Sequence, residues 1–120
     1  MNDDQIHLRA EFNIEEGKIE EYKKLVKEMS LMKATEPEIL NYQFYLNQDN
    51  TKCIVHETYS NSEAVFAHAN GVASKIVLQK IFNIAKISKF DVYGNPCEEL
   101  QKVLTSFNPQ IYNLFTGFSR

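Results

Sequence analysis

Strict alternation of apolar and polar residues near the start of the chain restricts its fold more than any other feature. The apolar side chains between residues 6 and 14 are Ile6, Leu8, Ala10, Phe12 and Ile14, with polar residues between them. A period of two over this length predicts a strand with one buried face. After Gly17 the apolar residues recur every three or four positions as far as Met32, which predicts a helix with one buried stripe. Pro37 requires that helix to end near Glu36.

The next sixty residues repeat this change of period. Residues 39–47 alternate, with Leu40, Tyr42, Phe44 and Leu46 on one face, and residues 52–59 predict the strand that pairs with them as a hairpin. A capping box from Ser60 to Glu63 predicts a short helix, which Asn70-Gly71 would close with a left-handed residue. Residues 72–85 predict a further helical stretch with four buried residues, and residues 87–93 predict a fourth strand. The four are Ile76, Val77, Ile81 and Ile84.

The order of strand, helix, strand, strand, helix and strand predicts an α+β fold of the ferredoxin-like βαββαβ type. Helices would cover one face of its four-stranded antiparallel sheet. We expect the other face to carry a mixture of charged, uncharged polar and aromatic side chains, namely Arg9, Glu11, Asn41, Gln43, Tyr45 and Tyr93. Such a mixture suits an interface, so we expect a homodimer joined through its sheet faces.

A further segment follows the fourth strand. Asn95-Pro96 is typical of a helix start, and a helix over residues 97–107 would bury Leu100, Val103 and Leu104. The last eleven residues carry Tyr112, Phe115 and Phe118, and a disordered tail seldom has so many aromatics. We therefore expect a domain over residues 1–94 and an extension over residues 95–120. The extension would pack on the same domain or on the partner subunit, either as simple packing or as a lid over a pocket.

Composition argues against several classes of function. The formal net charge is −3, whereas nucleic-acid binding needs a clustered basic face. No apolar run approaches the ~20 residues of a membrane span, and the polar start of the chain is unlike a signal peptide. The two cysteines are too few for a secreted disulfide framework, and no spacing predicts a metal site or a nucleotide-binding loop. We expect a cytoplasmic protein without cofactor, metal, nucleic acid or membrane.

Four segments carry a pattern that extends over about residues 6–93. Phe12-Asn13-Ile14-Glu15-Glu16-Gly17-Lys18 forms the first strand-to-helix turn, and Thr35 to Tyr45 leads from Glu-Pro into a strand with Tyr. Ile54-Val55-His56-Glu57-Thr58-Tyr59 has Glu two residues before an aromatic, and Ser62 to His68 is a helix that ends in Ala-His. In these features the chain resembles the antibiotic biosynthesis monooxygenase family.

This resemblance implies a dimeric α+β barrel, but it does not imply one activity. Some members of the family are cofactor-free oxygenases of quinols and polycyclic phenols, others degrade haem, and others isomerise or cleave small metabolites. The Asn, Trp and His of the haem-degrading branch would fall at Ala10, His68 and Leu78, and the chain has no Trp. We therefore do not expect haem degradation.

His68 is the candidate catalytic residue, since the family often has His at this position. An imidazole with a pKa near ~6.5 suits removal of a proton from a phenol. The alternative is a histidine that only hydrogen-bonds a helix end. The substrate-binding candidates are aromatic hydroxyls and pliable wall residues, for which core packing is the alternative: Tyr22, Tyr42, Tyr59, Met29 and Phe66.

His56 and Glu57 are neighbours on one strand and must point to opposite faces of the sheet. The simplest interpretation of Glu57 is an ion pair with Arg9 or with a lysine across the dimer. Taken together, these features predict a cofactor-independent monooxygenase for a small aromatic or quinol substrate. The alternatives are a non-catalytic small-molecule-binding or interaction module of the same fold, or an oxygen-independent isomerase or lyase. A cavity that reaches His68 favours an enzyme, and a filled core favours the module.

Overall fold

A computed structural model describes residues 4–120, apart from the side chains of Val72 and Ala73, so the first three residues of the expected 1–94 domain lie outside it. The strands are β1 (Ile6–Ile14), β2 (Ile39–Leu46), β3 (Lys52–Tyr59), β4 (Ala85–Tyr93) and β5 (Gln110–Tyr112). The helices are α1 (Ile19–Lys33), α2 (Ser62–Asn70), α3 (Val72–Phe82) and α4 (Glu98–Leu104), followed by a 3-10 turn over Thr105–Phe107.

All five strands belong to one sheet, in the order β2-β3-β1-β4-β5. The central β1 pairs antiparallel with β3 and β4, and β2 pairs antiparallel with β3. This arrangement confirms the predicted α+β, ferredoxin-like fold. The number of strands differs, because β5 from the C-terminal extension adds a parallel edge strand to β4.

The hydrophobic core lies between the helices and the inner face of the sheet. Alternate residues of β1 from Ile6 to Phe12 point into it and are buried, as the period of two predicts. α1 contributes Tyr22, Leu25 and Met29 to this core, and α3 contributes Val77 and Ile81. None of the helices in the described part of the chain is long and apolar enough to cross a membrane.

The junctions around α2 differ from the prediction. Asn61, not Ser60, caps α2, since its side-chain oxygen accepts a hydrogen bond of 2.9 Å from the backbone N–H of Ala64. Neither Asn70 nor Gly71 is left-handed, and Gly71 has φ −73° and ψ 161°. The physical reason is that Gly71 both ends α2 and begins α3, and extended dihedrals are those of a helix N-cap.

Two boundaries near the end of the chain also differ. α3 ends at Phe82 and β4 begins at Ala85, two residues earlier than predicted, because Ile84 and Ala85 stay buried after the helix has ended and so continue its apolar pattern. Asn95 does not cap α4: Cys97 occupies the cap position, and the Asn95 side-chain oxygen accepts a hydrogen bond from Asn113.

Five apolar residues predicted to be on buried faces are at least one-third exposed: Met32, Leu40, Leu46, Ile76 and Val103. Leu40 lies at an irregularity in the pairing of β2 with β3, between Ile39 and Asn41, so Ile39 packs against the core in its place. Leu46 ends the edge strand β2. Met32, Ile76 and Val103 lie at the margins of their helical stripes, where the apolar spacing extends beyond the surface that the sheet covers.

The other face of the sheet, here called the outer sheet face, carries charged and aromatic side chains. Arg9 forms ion pairs with Glu11 at 3.3 Å and with Asp91 at 3.9 Å. The hydroxyl of Tyr45 donates to the Gln43 side chain, which also accepts from Asn41. The rings on this face that contact one another are His7, Tyr45, His56 and Tyr93.

The C-terminal extension packs on its own chain. Leu100 and Leu104 of α4 are buried, and the ring of Phe107 lies against Phe82 and Phe90. In β5, the ring of Tyr112 stacks on Tyr93 with the centroids 5.4 Å apart. Beyond β5, Phe115 is 96% exposed and Phe118 is 74% exposed, so these two aromatic rings contact little of the rest of the chain.

Candidate active site

A cavity of about 270 Å³ lies between the helices and the inner face of the sheet. Most of its wall is apolar, with side chains such as Ala10, Val55, Val65, Leu78, Ile81 and Phe90. Five polar side chains also line the cavity, and they come from β3, α2 and α3: Glu57, His68, Ser74, Lys75 and Gln79. A small, largely apolar space with a few polar groups is typical of a site for a small molecule.

Glu57 reaches this cavity because of its position in β3. It lies opposite Leu8 of β1 and therefore shares the inward face of the sheet with that buried residue. Its side chain is only 12% exposed. The hydroxyl of Tyr59, two residues further along the same face, donates a hydrogen bond to its carboxylate. The interpretation of Glu57 as a partner of Arg9 is wrong, because Arg9 lies on the outer sheet face.

His68 lies in the last turn of α2 and also lines the cavity. Its Nε2 is 3.7 Å from Oε1 of Glu57. The imidazole packs beside the rings of Tyr42 and Tyr59, with centroids 5.6 and 5.5 Å away. Nδ1 is buried and has no hydrogen-bond partner. The cavity therefore reaches the predicted catalytic histidine, and the space beside it is not a filled core, which favours an enzyme over a module.

Burial shifts the pKa values of Glu57 and His68 in opposite directions. It raises the pKa of Glu57 to about 7, although the hydrogen bond from Tyr59 and the charge of Lys33 favour the ionised carboxylate. Burial lowers the pKa of His68 to about 3, and the charge of Lys33 acts in the same direction. At neutral pH His68 is uncharged and Glu57 is close to half-ionised. Glu57, rather than His68, thus has a pKa suited to a general base near pH 7.

The predicted substrate-binding residues are not all at the cavity. Tyr22, Met29 and Tyr42 line it, and burial raises the pKa of both tyrosines, so their hydroxyls stay protonated. Tyr59 is not part of the cavity wall, but its hydroxyl donates a hydrogen bond to Glu57, which is. Phe66 packs against the core outside the cavity wall. The roles of these residues in binding stay predictions.

Three residues that the sequence did not single out as site residues take part in this arrangement. Glu57 shares its parity along β3 with the buried Val55 and Tyr59, which is a signal that it points inward. Lys33 follows the buried Met29 by four residues, and this spacing continues the buried stripe of α1. Ser74, which donates to the His68 carbonyl oxygen, has no comparable signal in the sequence.

The extension contributes to the cavity wall. Leu104 of α4 and Phe107 of the 3-10 turn both line it, and the ring of Phe107 contacts Phe82 of α3 and Phe90 of β4. The extension therefore closes one side of the cavity of its own chain. Among the described residues, no group of three or more His, Cys, Asp or Glu side chains could hold a metal ion.

Comparison with known proteins places this geometry in a family. Residues 5–76 match the family model described as antibiotic biosynthesis monooxygenase. The crystal structure of MupZ from Pseudomonas fluorescens is 25% identical and superposes with a TM-score of 0.85, over 97% of this chain and 94% of MupZ. No curated protein sequence matches the chain.

Two further solved structures share the fold. A conserved protein from Bacteroides thetaiotaomicron, described as a possible oxidoreductase, is 19% identical, with a TM-score of 0.69 over 75% of this chain and 96% of that one. SnoaB from Streptomyces nogalater, described as a cofactor-independent oxygenase, is 8% identical, with a TM-score of 0.68 over 78% of this chain and 95% of SnoaB. Since the family model matches more than half of the 120 residues of this chain, the chain belongs to the antibiotic biosynthesis monooxygenase family.

Proposed function

We propose that this protein is a cofactor-independent monooxygenase that acts on a small aromatic or quinol substrate in the cavity. The observation that carries the proposal is the buried carboxyl group of Glu57. Its pKa of about 7 lies where a general base works best, and it stands beside a neutral imidazole at the wall of an apolar cavity. Family membership and the likeness in fold to an oxygenase, SnoaB, support the choice of reaction.

The substrate itself supplies the electrons in this reaction, so the protein has only to move protons and exclude water. Glu57 accepts the hydroxyl proton of a bound phenol, and the phenolate passes one electron to dioxygen. The phenoxyl radical and superoxide then combine at a ring carbon that carries hydrogen. The resulting peroxide takes up the proton from Glu57, loses the ring proton and breaks its O–O bond. One oxygen atom stays in the quinone product and the other leaves as water.

The neighbouring groups have defined roles in this proposal. His68, uncharged at neutral pH, hydrogen-bonds the substrate or the peroxide and acts with Glu57 as a catalytic pair. The protonated hydroxyls of Tyr22 and Tyr42 orient the phenolate oxygen as donors, and Met29 adapts the wall to the ring. The apolar wall keeps water away from the radical pair and so limits side reactions.

Oxygen consumption with a panel of quinols and catechols tests the proposal. We expect wild-type rates above autoxidation, and a loss of about 100-fold or more in Glu57→Gln. The matched control is Glu63→Gln, which changes an exposed glutamate in the first turn of α2 and should leave the rate unchanged. The pH dependence of kcat/KM distinguishes the two candidate bases, because Glu57 predicts a midpoint near pH 7 and His68 predicts one near pH 3.

The same panel distinguishes the alternative functions. If substrate conversion continues unchanged without dioxygen, the protein is an isomerase or lyase that uses the same base, and the oxygenase proposal is wrong. Ligand binding in the cavity with no conversion of any substrate, in wild type and Glu57→Gln alike, would instead identify a binding module.

We also propose that the protein is a homodimer joined through the outer sheet face. The support is the exposure of Tyr45 beside ion pairs that could be shared with a second copy, such as that of Arg9 with Glu11. Sedimentation equilibrium should give twice the monomer mass of 13.9 kDa, and Tyr45→Glu should give the monomer mass. Lys24→Glu, on the exposed side of α1, is the control. A monomeric wild type would overturn the proposal.

A further inference from the structure

A buried lysine contacts the backbone of His68, one member of the catalytic pair. Lys33 is the last residue of α1, and only 2% of its side chain is exposed. Its Nζ lies 3.0 Å from the Glu36 carboxylate and donates a 3.3 Å hydrogen bond to the backbone carbonyl oxygen of His68. A buried ammonium group without partners is costly, and these two acceptors offset that cost.

The His68 carbonyl oxygen is the point at which three helices meet. The hydroxyl of Ser74, at the start of α3, donates a 2.5 Å hydrogen bond to this oxygen from one side, and Lys33 of α1 donates from another. Gly71, between α2 and α3, leaves the space that the ammonium group needs, because a Cβ there would lie 2.8 Å from Nζ. The end of α2, and with it the imidazole, is therefore held by side chains from both neighbouring helices.

We propose that Lys33 is a positioning residue of this site, which holds the His68 end of α2 in place and stabilises the carboxylate form of Glu57 with its charge. The catalytic consequence rests on the proposed function, whereas the effect on Glu57 does not. The groups that face Glu57 come from five elements: Tyr42 of β2, Tyr59 of β3, His68 of α2, Lys33 of α1 and, along the cavity wall, Lys75 of α3.

Lys33 is the buried cation of this group. Glu36 lies beyond it and is partly exposed, and Lys75 is exposed, so water screens its charge. Lys33→Met removes the ammonium group and keeps the apolar stem. Loss of a nearby positive charge raises a carboxyl pKa, because the ionised form loses a favourable interaction. We therefore expect the Glu57 titration to move to higher pH by about 1 pH unit.

The direct test is the titration of the Glu57 carboxyl carbon by ¹³C NMR, with Glu57→Gln used to assign the signal. Lys33→Met should move the midpoint upward, and Lys75→Met should move it little. Gly71→Ala keeps the lysine but displaces its ammonium group, so it should shift the midpoint in the same direction by a smaller amount. Ser74→Ala removes the other side-chain hydrogen bond to the same carbonyl without a change in charge, and should leave the midpoint in place.

Activity provides the second readout. In Lys33→Met the acid limb of kcat/KM should move upward with the NMR midpoint, so that activity recovers at alkaline pH. Ser74→Ala should lower kcat at every pH without moving that limb. A wild-type titration of Glu57 in both Lys33→Met and Gly71→Ala would overturn this inference. A shifted titration in a protein that consumes no oxygen would support the inference and overturn the monooxygenase proposal alone.

Discussion

Oε1 of Glu57 and Nε2 of His68 lie 3.7 Å apart, on side chains that a strand and a helix bring to one cavity wall. The separation is longer than a hydrogen bond, so the two groups are neighbours in the cavity wall without a direct hydrogen bond between them. Burial favours the uncharged form of each group, which is the protonated carboxyl for Glu57 and the deprotonated imidazole for His68. Their contributions to stability should therefore change with pH in opposite directions.

Glu57 should make the wild-type protein less stable as the pH rises from about 4.5 to 7. Its pKa is 4.5 in the unfolded chain and about 7 in the fold, so within this window only the folded state keeps the proton. Glu57→Gln removes this effect. The free energy of unfolding of Glu57→Gln minus that of wild type should therefore rise by roughly 3 kcal/mol between pH 4.5 and pH 8, as measured by urea unfolding.

The control for this measurement is Glu63→Gln, at an exposed position, for which the difference from wild type should not vary with pH. If the difference between Glu57→Gln and wild type is also constant, the carboxyl group is not held in its protonated form and the proposed base has an ordinary pKa.

His68 should have the opposite effect. Its pKa is 6.5 in the unfolded chain and about 3 in the fold, so below pH 6.5 the unfolded chain takes up a proton that the fold does not. Wild type therefore loses stability as the pH falls toward 3, by about 5 kcal/mol from this group. His68→Gln lacks that loss, and its unfolding free energy should approach or exceed that of wild type in acid. Parallel curves for the two proteins would contradict this expectation.

The fold was largely predictable from the sequence because local periodicity determines which face of a strand or helix can be buried. Alternation correctly predicted β1 and β2, and the hairpin pattern after β2 correctly predicted β3. The same alternation indicates that Glu57 shares a face with Val55 and Tyr59. β5 was not predicted, because its three residues, Gln110–Tyr112, are too short to show a period, and their pairing with β4 depends on tertiary structure.

The arrangement of the site was less predictable. The distance between Glu57 and His68 depends on how closely α2 approaches β3, which no local pattern specifies. Lysine on a helix usually faces solvent, so although Lys33 continues the buried stripe of α1, its burial also needs the space that Gly71 leaves and the acceptors around it. The shifted pKa values of Glu57 and His68 result mainly from the burial of these two side chains, which the sequence does not predict either.

Phe107 should limit the size of the ligand. Its ring forms part of the cavity wall that the extension contributes, and it contacts Phe82 and Phe90. Phe107→Ala should lengthen the cavity, lower the free energy of unfolding by about 2 kcal/mol and favour three-ring over one-ring phenols in calorimetric binding. Phe115→Ala, at a 96% exposed position, is the matched control and should change neither the free energy of unfolding nor the ratio of affinities. An unchanged ratio of affinities in Phe107→Ala would mean that the ligand does not approach this wall.

β5 should protect the edge of the sheet. It covers Asp91 to Tyr93 of β4, Tyr112 stacks on Tyr93, and the backbone N–H of Gly94 donates to the Tyr112 carbonyl oxygen at 2.9 Å. Truncation after Asn108 removes these contacts and exposes the unpaired edge of β4. We expect a loss of about 2 kcal/mol, a fall in Tm of about 8 °C, and aggregation that increases with concentration.

Truncation after Asn113 provides the matched control for this prediction. It keeps β5 together with the hydrogen bonds from the Asn113 side chain to Gly94 and Asn95, and it removes the exposed Phe115 and Phe118. Its Tm, measured by calorimetry, should equal that of the full chain, because the removed side chains bury little surface on their own subunit. If this shorter truncation lowers the Tm or the mass in sedimentation, the last seven residues pack on the partner subunit instead.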